Sequence, residues 1–162
     1  MDNLDHAHFA AIPWCARHLQ GDRAVIVTSP SRTLKPTGED SLMSQTLNSE
    51  NTISRFLQVY EEPLLPTERV NEVKAFLTLG SGLNGYADVC HGGLVTTILD
   101  EAIGMLNTNF IKPVPTPITI LTRTWLTKVE GRKLFMQGTI EDEHGIVLVR
   151  ADALYIQLKT SL

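Results

Sequence analysis

The sequence has few of the features that mark specialised classes of protein. It contains only two cysteines, Cys15 and Cys90, which lie far apart and form no CxxC motif, so we expect reduced thiols rather than a disulfide framework. No apolar run approaches the roughly 20 residues that a membrane-spanning helix needs. The formal net charge is −4, which gives no basic footprint for nucleic acid. These absences exclude a nucleic-acid partner and a membrane span from our expectations.

Signals for targeting and for metal binding are equally scarce. The N-terminal MDNLDHAHF carries Asp2 and Asp5 where a secretory signal has basic residues. We therefore expect the cytoplasm as the location, with the mitochondrion as the alternative. His6 and His8 beside Asp5 are metal-type ligands, but a chain terminus is a poor place to preorganise a site. We predict no metal site.

The composition fits one folded domain with a preceding extension. The 162 residues are 43% hydrophobic, which is enough for a substantial core. We divide the chain into an extension of loops and short helices, residues 1–66, and a folded domain, residues 67–162. Within the extension, apolar residues between Asp40 and Pro63 predict one or two helices with an interruption near residues 48–51.

The second part of the chain has clearer periodicity. Apolar residues alternate over 73–79, which predicts a strand, and recur at helical spacing from Leu94 to Leu106. Three further β-like segments, residues 118–129, 133–142 and 146–159, are separated by the turn-like VEGRK and EDEHG. The order strand, long helix, antiparallel meander predicts an α+β fold with one helix packed on a mainly antiparallel sheet.

The start of that helix carries the most informative motif, His91-Gly92-Gly93, followed by Asp100. A helix N-terminus presents free amides and a partial positive charge, which suit an oxyanion or a polarised carbonyl. Asp100 can serve as a base or nucleophile. At ~1.5 Å per residue, however, Gly92 and Asp100 are roughly 12 Å apart along the axis. We therefore predict that Asp100 serves the helix N-terminus of a second copy in a two-fold dimer.

Structural interpretations of the same residues stand beside the functional one. Asp100 has small neighbours at helical spacing, but a carboxylate on an amphipathic helix is usually just solvated. The same holds for Glu101, which is turned ~100° from Asp100. His91 can cap the helix through a ring nitrogen, and Cys90 fits a buried structural cysteine better than a nucleophile. The small neighbours of Asp100 are Gly93, Thr96, Thr97 and Gly104.

His91-Gly92-Gly93 with Asp100 nine positions after the histidine resembles the signature of the hotdog-fold acyl-CoA thioesterases. The closer resemblance is to the branch named for the phenylacetate-pathway thioesterase, and the segments IPWCARHL and PSRTLKPTGEDSL resemble its fungal members. The resemblance covers about residues 67–162 and implies a curved antiparallel sheet wrapped around the central helix. It also implies dimers or tetramers, and hydrolysis of an acyl-CoA thioester with no cofactor other than the coenzyme A of the substrate.

The resemblance also implies roles for individual residues. Gly92 would donate its amide to the thioester carbonyl, and Asp100 of the facing subunit would attack that carbonyl or activate water. His91 would orient the loop or contact the substrate. In some relatives an Asn holds the position of Gly85, one place from Asn84, and a Ser or Thr stands at the strand start, where this chain has Ile118. The implied substrate-binding residues are Asn84, Gly85, Gly93, Thr97 and, as a helper for water, Thr119.

Other functions remain open from the sequence. A hotdog-fold hydratase, dehydratase or biosynthetic enzyme would act on the same class of acyl thioester, and a non-catalytic scaffold would bind acyl groups or a partner. The sequence also leaves three roles for the extension: covering an acyl tunnel, covering a sheet edge, or contacting another subunit.

Overall fold

The computed structural model describes residues 4–65, 67–68, 70, 72–103 and 106–157, without the side chains of residues 103 and 106–108. Its three α-helices are α1 (Leu4–Ala10), α2 (Pro13–Ala16) and α3 (Gly92–Ile103). Two 3₁₀ turns, Pro30–Arg32 and Ser81–Leu83, and one π-helix, Leu42–Thr46, complete the helical elements. No helix in this described part of the chain is long and apolar enough to cross a membrane.

Seven strands form one antiparallel sheet, and two more form a small hairpin. The order in the large sheet is β1-β2-β3-β7-β8-β9-β6, and β4 pairs with β5. The strands are β1 (Ala24–Val27), β2 (Ile53–Glu61), β3 (Glu72–Leu79), β4 (Asn84–Tyr86), β5 (Val89–Cys90), β6 (Leu106–Phe110), β7 (Ile118–Glu130), β8 (Lys133–Glu141) and β9 (Val147–Ile156). This arrangement confirms the predicted α+β class, the strand over 73–79 and the meander of β7, β8 and β9.

The prediction of helix beyond residue 50 is wrong, because Ile53–Glu61 is strand β2. The register shifts between Ile53 and Arg55, which marks a bulge. The bulge lets Ile53 and Phe56, three residues apart, pack in the same core cluster, and this spacing resembles a helical one. Only the π-helix before it is helical.

The end of the central helix also differs from the prediction. Leu106 begins strand β6, whereas its spacing from Leu94 predicts a helical position. Gly104 and Met105, which belong to the same prediction, lie outside the described residues. Strand β6 has the sequence LNTNF, which lacks the alternation that predicts a strand, and it pairs with β9.

The inner face of the sheet packs against α3. Val95, Ile98 and Leu99 are buried with 1%, 2% and 0% exposure, and their spacing gives α3 one apolar side. The cluster that they join draws on both parts of the chain and includes Met43, Leu47, Ile53, Phe56, Leu77, Leu79, Ile120, Ile140 and Val149.

The outer face is covered by α1 and α2. A second cluster joins these helices to the sheet, and its members are Phe9, Cys15, Leu19, Leu57, Val59, Phe76 and Leu121. The ring of Phe76 lies 5.7 Å from those of Phe9 and Trp14. The extension therefore covers a sheet face and adds strands β1 and β2 to the sheet. The pairing of β2 with β3 crosses the boundary proposed at residues 66 and 67, which stays a prediction.

Candidate active site

The segment before α3 is tied to a second loop that fixes where the helix begins. The hairpin of β4 and β5 turns at Asp88, which has a φ of +56°. The Cys90 amide donates to the Val114 carbonyl at 2.6 Å, and the Thr116 amide donates to the Asp88 carbonyl at 2.8 Å. These two bonds hold the segment of residues 110–116 beside the start of α3.

His91 caps α3 through its ring. Its Nδ1 accepts a hydrogen bond from the Gly93 amide at 3.0 Å, which satisfies one of the free donors of the first turn. Since Nδ1 accepts, a neutral ring carries its proton on Nε2 and can donate from there. The capping interpretation of His91 is confirmed, and its contact with substrate stays a prediction.

Gly92 leaves its amide uncovered. Among the described residues, no hydrogen bond to this N–H is found, and Gly92 itself is exposed. A β-carbon built on Gly92 would lie 3.6 Å from Cζ of Phe110, so the ring of Phe110 borders the approach to the amide. The free donor stands at the positive end of the α3 dipole.

A cleft of about 600 Å³ opens at this helix start. It brings together three of the sequence-predicted site residues, Gly85, His91 and Gly92. Its remaining wall is largely apolar and aromatic, with one cation, and consists of Tyr86, Val89, Cys90, Val95, Phe110, Ile111, Lys112, Pro113 and Val114. A cleft with apolar walls and a few directed polar groups is typical of a small-molecule site.

Gly85 and Asn84 shape the loop before α3. A β-carbon on Gly85 would lie 2.9 Å from Cα of His91, so only glycine allows this close approach. The Asn84 Oδ1 accepts a hydrogen bond from the Thr116 hydroxyl. Both residues thus hold the loop around His91, and their contact with a substrate stays a prediction.

Asp100 lies two turns further along α3, outside the residues that line the cleft. It is exposed, as is Gly93 on the same side of the helix. Thr96 and Thr97 donate their hydroxyl protons to the carbonyls of Gly92 and Gly93 at 3.1 and 2.9 Å. This side of α3 therefore presents Asp100 among small and internally bonded side chains.

The structure contradicts the expectation that Thr119 helps at this site. Thr119 pairs in register with Thr78, and their hydroxyls are 3.3 Å apart. Thr78 in turn bonds Nε2 of His8 on α1 at 3.0 Å, so Thr119 lies on the outer face of the sheet. Ile118 packs against the inner cluster, so the α3 side receives no hydroxyl from this position.

Neither cysteine has the character of a nucleophile. Burial raises the pKa of the Cys90 thiol to about 11 and that of Cys15 to about 12, so both are protonated at neutral pH. This supports the structural interpretation of Cys90. Within the described ranges, no group of three or more His, Cys, Asp or Glu side chains is placed to hold a metal ion.

The sequence did not identify the second wall of the cleft. Phe110, Ile111 and Lys112 follow strand β6 and precede the proline-rich loop, and Phe110 and Ile111 are 48% and 51% exposed. Two large apolar residues before a Lys-Pro dipeptide are the only signal, and a linker gives the same pattern. Their place beside Gly92 depends on the pairing of β6 with β9, which is a long-range contact.

Comparison with solved structures supports the fold. A thioesterase superfamily protein matches with a TM-score of 0.56 at 22% identity, covering 64% of this chain and 54% of the other. The E. coli PaaI protein from the phenylacetic acid degradation operon matches with a TM-score of 0.50 at 11% identity, covering 54% of this chain and 72% of PaaI. The chain has the hotdog fold.

Sequence comparison finds relatives over part of the chain. Verlamelin biosynthesis protein B of Lecanicillium sp is 32% identical over 111 residues, covering 61% of this chain and 46% of that protein. The acyl-coenzyme A thioesterase THEM4 of Rattus norvegicus is 35% identical over 92 residues, covering 49% of this chain and 40% of THEM4. The chain thus spans less than half the length of these curated relatives. No protein-family model matches it. The resemblance to hotdog-fold thioesterases is confirmed.

Proposed function

We propose that this chain hydrolyses acyl-CoA or carrier-bound acyl thioesters to a free acid and a thiol. The observation that carries the proposal is the uncovered amide of Gly92, which stands at the start of α3 in an apolar cleft. An amide in this place stabilises the negative charge that develops on a carbonyl oxygen during acyl transfer. The similarity to relatives named acyl-coenzyme A thioesterase supports the same reaction class.

We further propose that each site combines two copies of the chain. Asp100 is eight residues after Gly92, which places it roughly 12 Å away along one helix, too far to act on a carbonyl held at Gly92. Strand β6 pairs with β9 and is the last strand in the sheet order, so among the described residues its second edge has no partner strand and can pair with another chain. A two-fold axis at this edge would bring two α3 helices together antiparallel, with Asp100 of each near Gly92 of the other.

The chemistry needs only the groups already named. A water oxygen attached to the thioester carbon would replace the sulfur, as the C–O bond forms and the C–S bond breaks. Asp100 would take the proton of the attacking water or attack the carbon itself, in which case water opens the resulting anhydride. The Gly92 amide would stabilise the oxyanion, and the Nε2–H of His91 could donate near the thioester. The sulfur would leave as a thiolate and take up the proton released by water, which gives the free thiol of coenzyme A or of the carrier.

The proposal is tested by thiol release from a panel of short, long and aromatic acyl-CoAs. We expect Asp100→Asn to lower kcat by about 1,000-fold, since loss of a positioned base or nucleophile has effects of this size. Unchanged turnover in Asp100→Asn would remove its assigned role. A folded, dimeric protein that hydrolyses no substrate, including carrier-bound ones, would instead favour the scaffold or another reaction on acyl thioesters.

The shared site has its own test, a mixed dimer. Gly92→Pro removes the N–H while proline suits the first helical position, so this variant isolates the amide. A dimer of one Asp100→Asn chain and one Gly92→Pro chain contains one intact site and one with both defects. It should recover about half of the wild-type rate, although each homodimer is nearly inactive. No recovery, or a chain that is monomeric at micromolar concentration, would contradict the shared site.

A further inference from the structure

We infer that Glu101, together with Ser29 and Ser31 of the N-terminal extension, forms a positioning network that fixes the orientation of α3 around Asp100. The inference rests on the proposed function, in which Asp100 reacts. It gives the extension a task in the reaction, because a segment that precedes the folded domain reaches the helix that carries the site. Glu101 is a positioning residue here, since it acts through α3.

The network consists of three oxygen-bearing side chains in series. The Ser29 hydroxyl donates to Oε1 of Glu101 at 3.5 Å, and the Ser29 and Ser31 hydroxyls are 2.9 Å apart. A hydroxyl has one proton, so while Ser29 donates to Glu101 it must accept from Ser31. Ser29 and Ser31 are only 3% and 7% exposed, and buried hydroxyls of this kind need their partners. The direction of both bonds therefore points toward the carboxylate on α3.

The serines are also held in place by hydrogen bonds that do not involve α3. Arg32, the next residue, donates from Nη1 to the carbonyls of Met43 and Leu47 at 3.0 and 2.9 Å, and from Nη2 to that of Ile53 at 2.8 Å. A planar guanidinium with several fixed acceptors is a rigid anchor. The partners of Arg32 lie at the π-helix and at the start of β2. The serine pair is therefore tied to the sheet as well as to Glu101.

The position of Glu101 on the helix explains why such a contact would matter. Val95, Ile98 and Leu99 bury one side of α3, but apolar contacts are non-directional and tolerate small rotations about the helix axis. Glu101 stands at the flank of this side and is half-buried, so a hydrogen bond there resists rotation. The adjacent Asp100 is turned ~100° away, and any rotation of α3 would move its carboxylate relative to the partner's site. A misplacement of about 1 Å can reduce a rate by ~100-fold.

Five variants test the network against a matched control. Glu101→Ala and Ser29→Ala each remove one end of the bond, and their combination completes a double-mutant cycle. Ser29→Thr keeps the hydroxyl, and Glu101→Gln keeps an acceptor. Ser49→Ala is the control, because Ser49 is an exposed serine of the same extension whose hydroxyl bonds Thr52. We expect kcat to fall about tenfold in both alanine variants with KM changed less than about twofold. The kcat of the double variant should be no lower than that of the less active single variant, because both substitutions break the same hydrogen bond.

A second measurement does not depend on activity. Hydrogen–deuterium exchange of peptides covering residues 92–103 should become faster in Glu101→Ala and Ser29→Ala, return to wild-type in Ser29→Thr and Glu101→Gln, and stay unchanged in Ser49→Ala. If the wild type is active and both alanine variants keep its full kcat, or if their α3 exchanges at the wild-type rate, the network is overturned while the proposed function stands. If the wild type hydrolyses nothing, the proposed function fails and exchange alone decides whether the serines hold α3.

Discussion

The two faces of the sheet are covered by helices of different kinds, and they do different work. The inner face packs against α3, a 12-residue helix whose opposite side stays exposed around Asp100. The outer face packs against α1 and α2, which have 7 and 4 residues. Helices this short are not stable by themselves, so they exist because of the sheet. We conclude that the outer face serves stability, while the inner face holds the helix of the proposed active site.

The largest effect should come from the aromatic centre of the outer face. Phe76 is fully buried and touches the rings of Phe9, Trp14 and His18. We expect Phe76→Ala to lower the free energy of unfolding by about 3–5 kcal/mol, measured by urea denaturation. The kcat of the protein that remains folded should stay close to wild-type. A large loss of kcat at unchanged stability would break the division between the two faces.

The anchor of the extension should give the next effect. Arg32→Lys keeps a positive charge, but one ammonium cannot serve the carbonyls of Met43, Leu47 and Ile53 in the geometry of a guanidinium. Leaving a partly buried carbonyl without its donor costs about 1–3 kcal/mol, so we expect a loss of about 2 kcal/mol in urea denaturation. Lys35→Arg, at an exposed ion pair with Asp40, is the control and should change stability little.

The third prediction is a substitution that should stabilise the protein. Thr122 is fully buried, and its hydroxyl has no hydrogen-bond partner among the residues described by the structure. Thr122 pairs with Ala75 on the inner side of the sheet. Valine has nearly the same shape without the polar group, so Thr122→Val should raise the free energy of unfolding by about 1 kcal/mol. A matched Thr124→Val should destabilise instead, because the Thr124 hydroxyl donates to the Val73 carbonyl at 3.3 Å.

Most of the inner layer could be predicted from the sequence. Strands β3, β7, β8 and β9 show apolar alternation or turn residues at their ends, and Gly131 and Gly145 do adopt positive φ in the two hairpin turns. The start of α3 could be predicted because paired glycines after a histidine are rare in a helix interior. What failed was the choice of Thr119 as a helper for water. Thr119 lies one position from Ile118, and a shift of one residue in a strand moves a side chain to the opposite face.

Strand β2 of the extension and the second wall of the cleft, which follows β6, could not be predicted. The bulge in β2 gives a strand the spacing of a helix, and the polar LNTNF of β6 has no periodic signal. Both strands are identified only through partners distant in sequence, β3 for one and β9 for the other. The link from Ser29 to Glu101 spans 72 residues, and neither residue type predicts such a contact.

The smallest predicted effect concerns pH and again separates the two faces. His18 lies on the outer face against Phe76. Desolvation lowers the pKa of His18 from 6.5, and the nearby cations of Lys74, Arg123 and Arg17 lower it further. The smaller effect of Glu141 opposes them. The unfolded chain therefore binds a proton at higher pH than the folded one. The contribution of neutral His18 to stability is therefore full well above pH 6.5 and declines as the pH falls through 6.5 toward the folded-state pKa.

This dependence can be isolated with a pair of histidine variants. His18→Gln has no proton to gain, so its free energy of unfolding should fall less than that of the wild type between pH 7 and pH 5, a window that brackets the ordinary histidine pKa of about 6.5. His144→Gln, in the exposed turn between β8 and β9, is the control for the removal of a histidine outside the outer face. Urea denaturation at several pH values measures both. If His18→Gln and the wild type show the same slope, protonation of His18 does not oppose the packing of this residue against the outer face of the sheet.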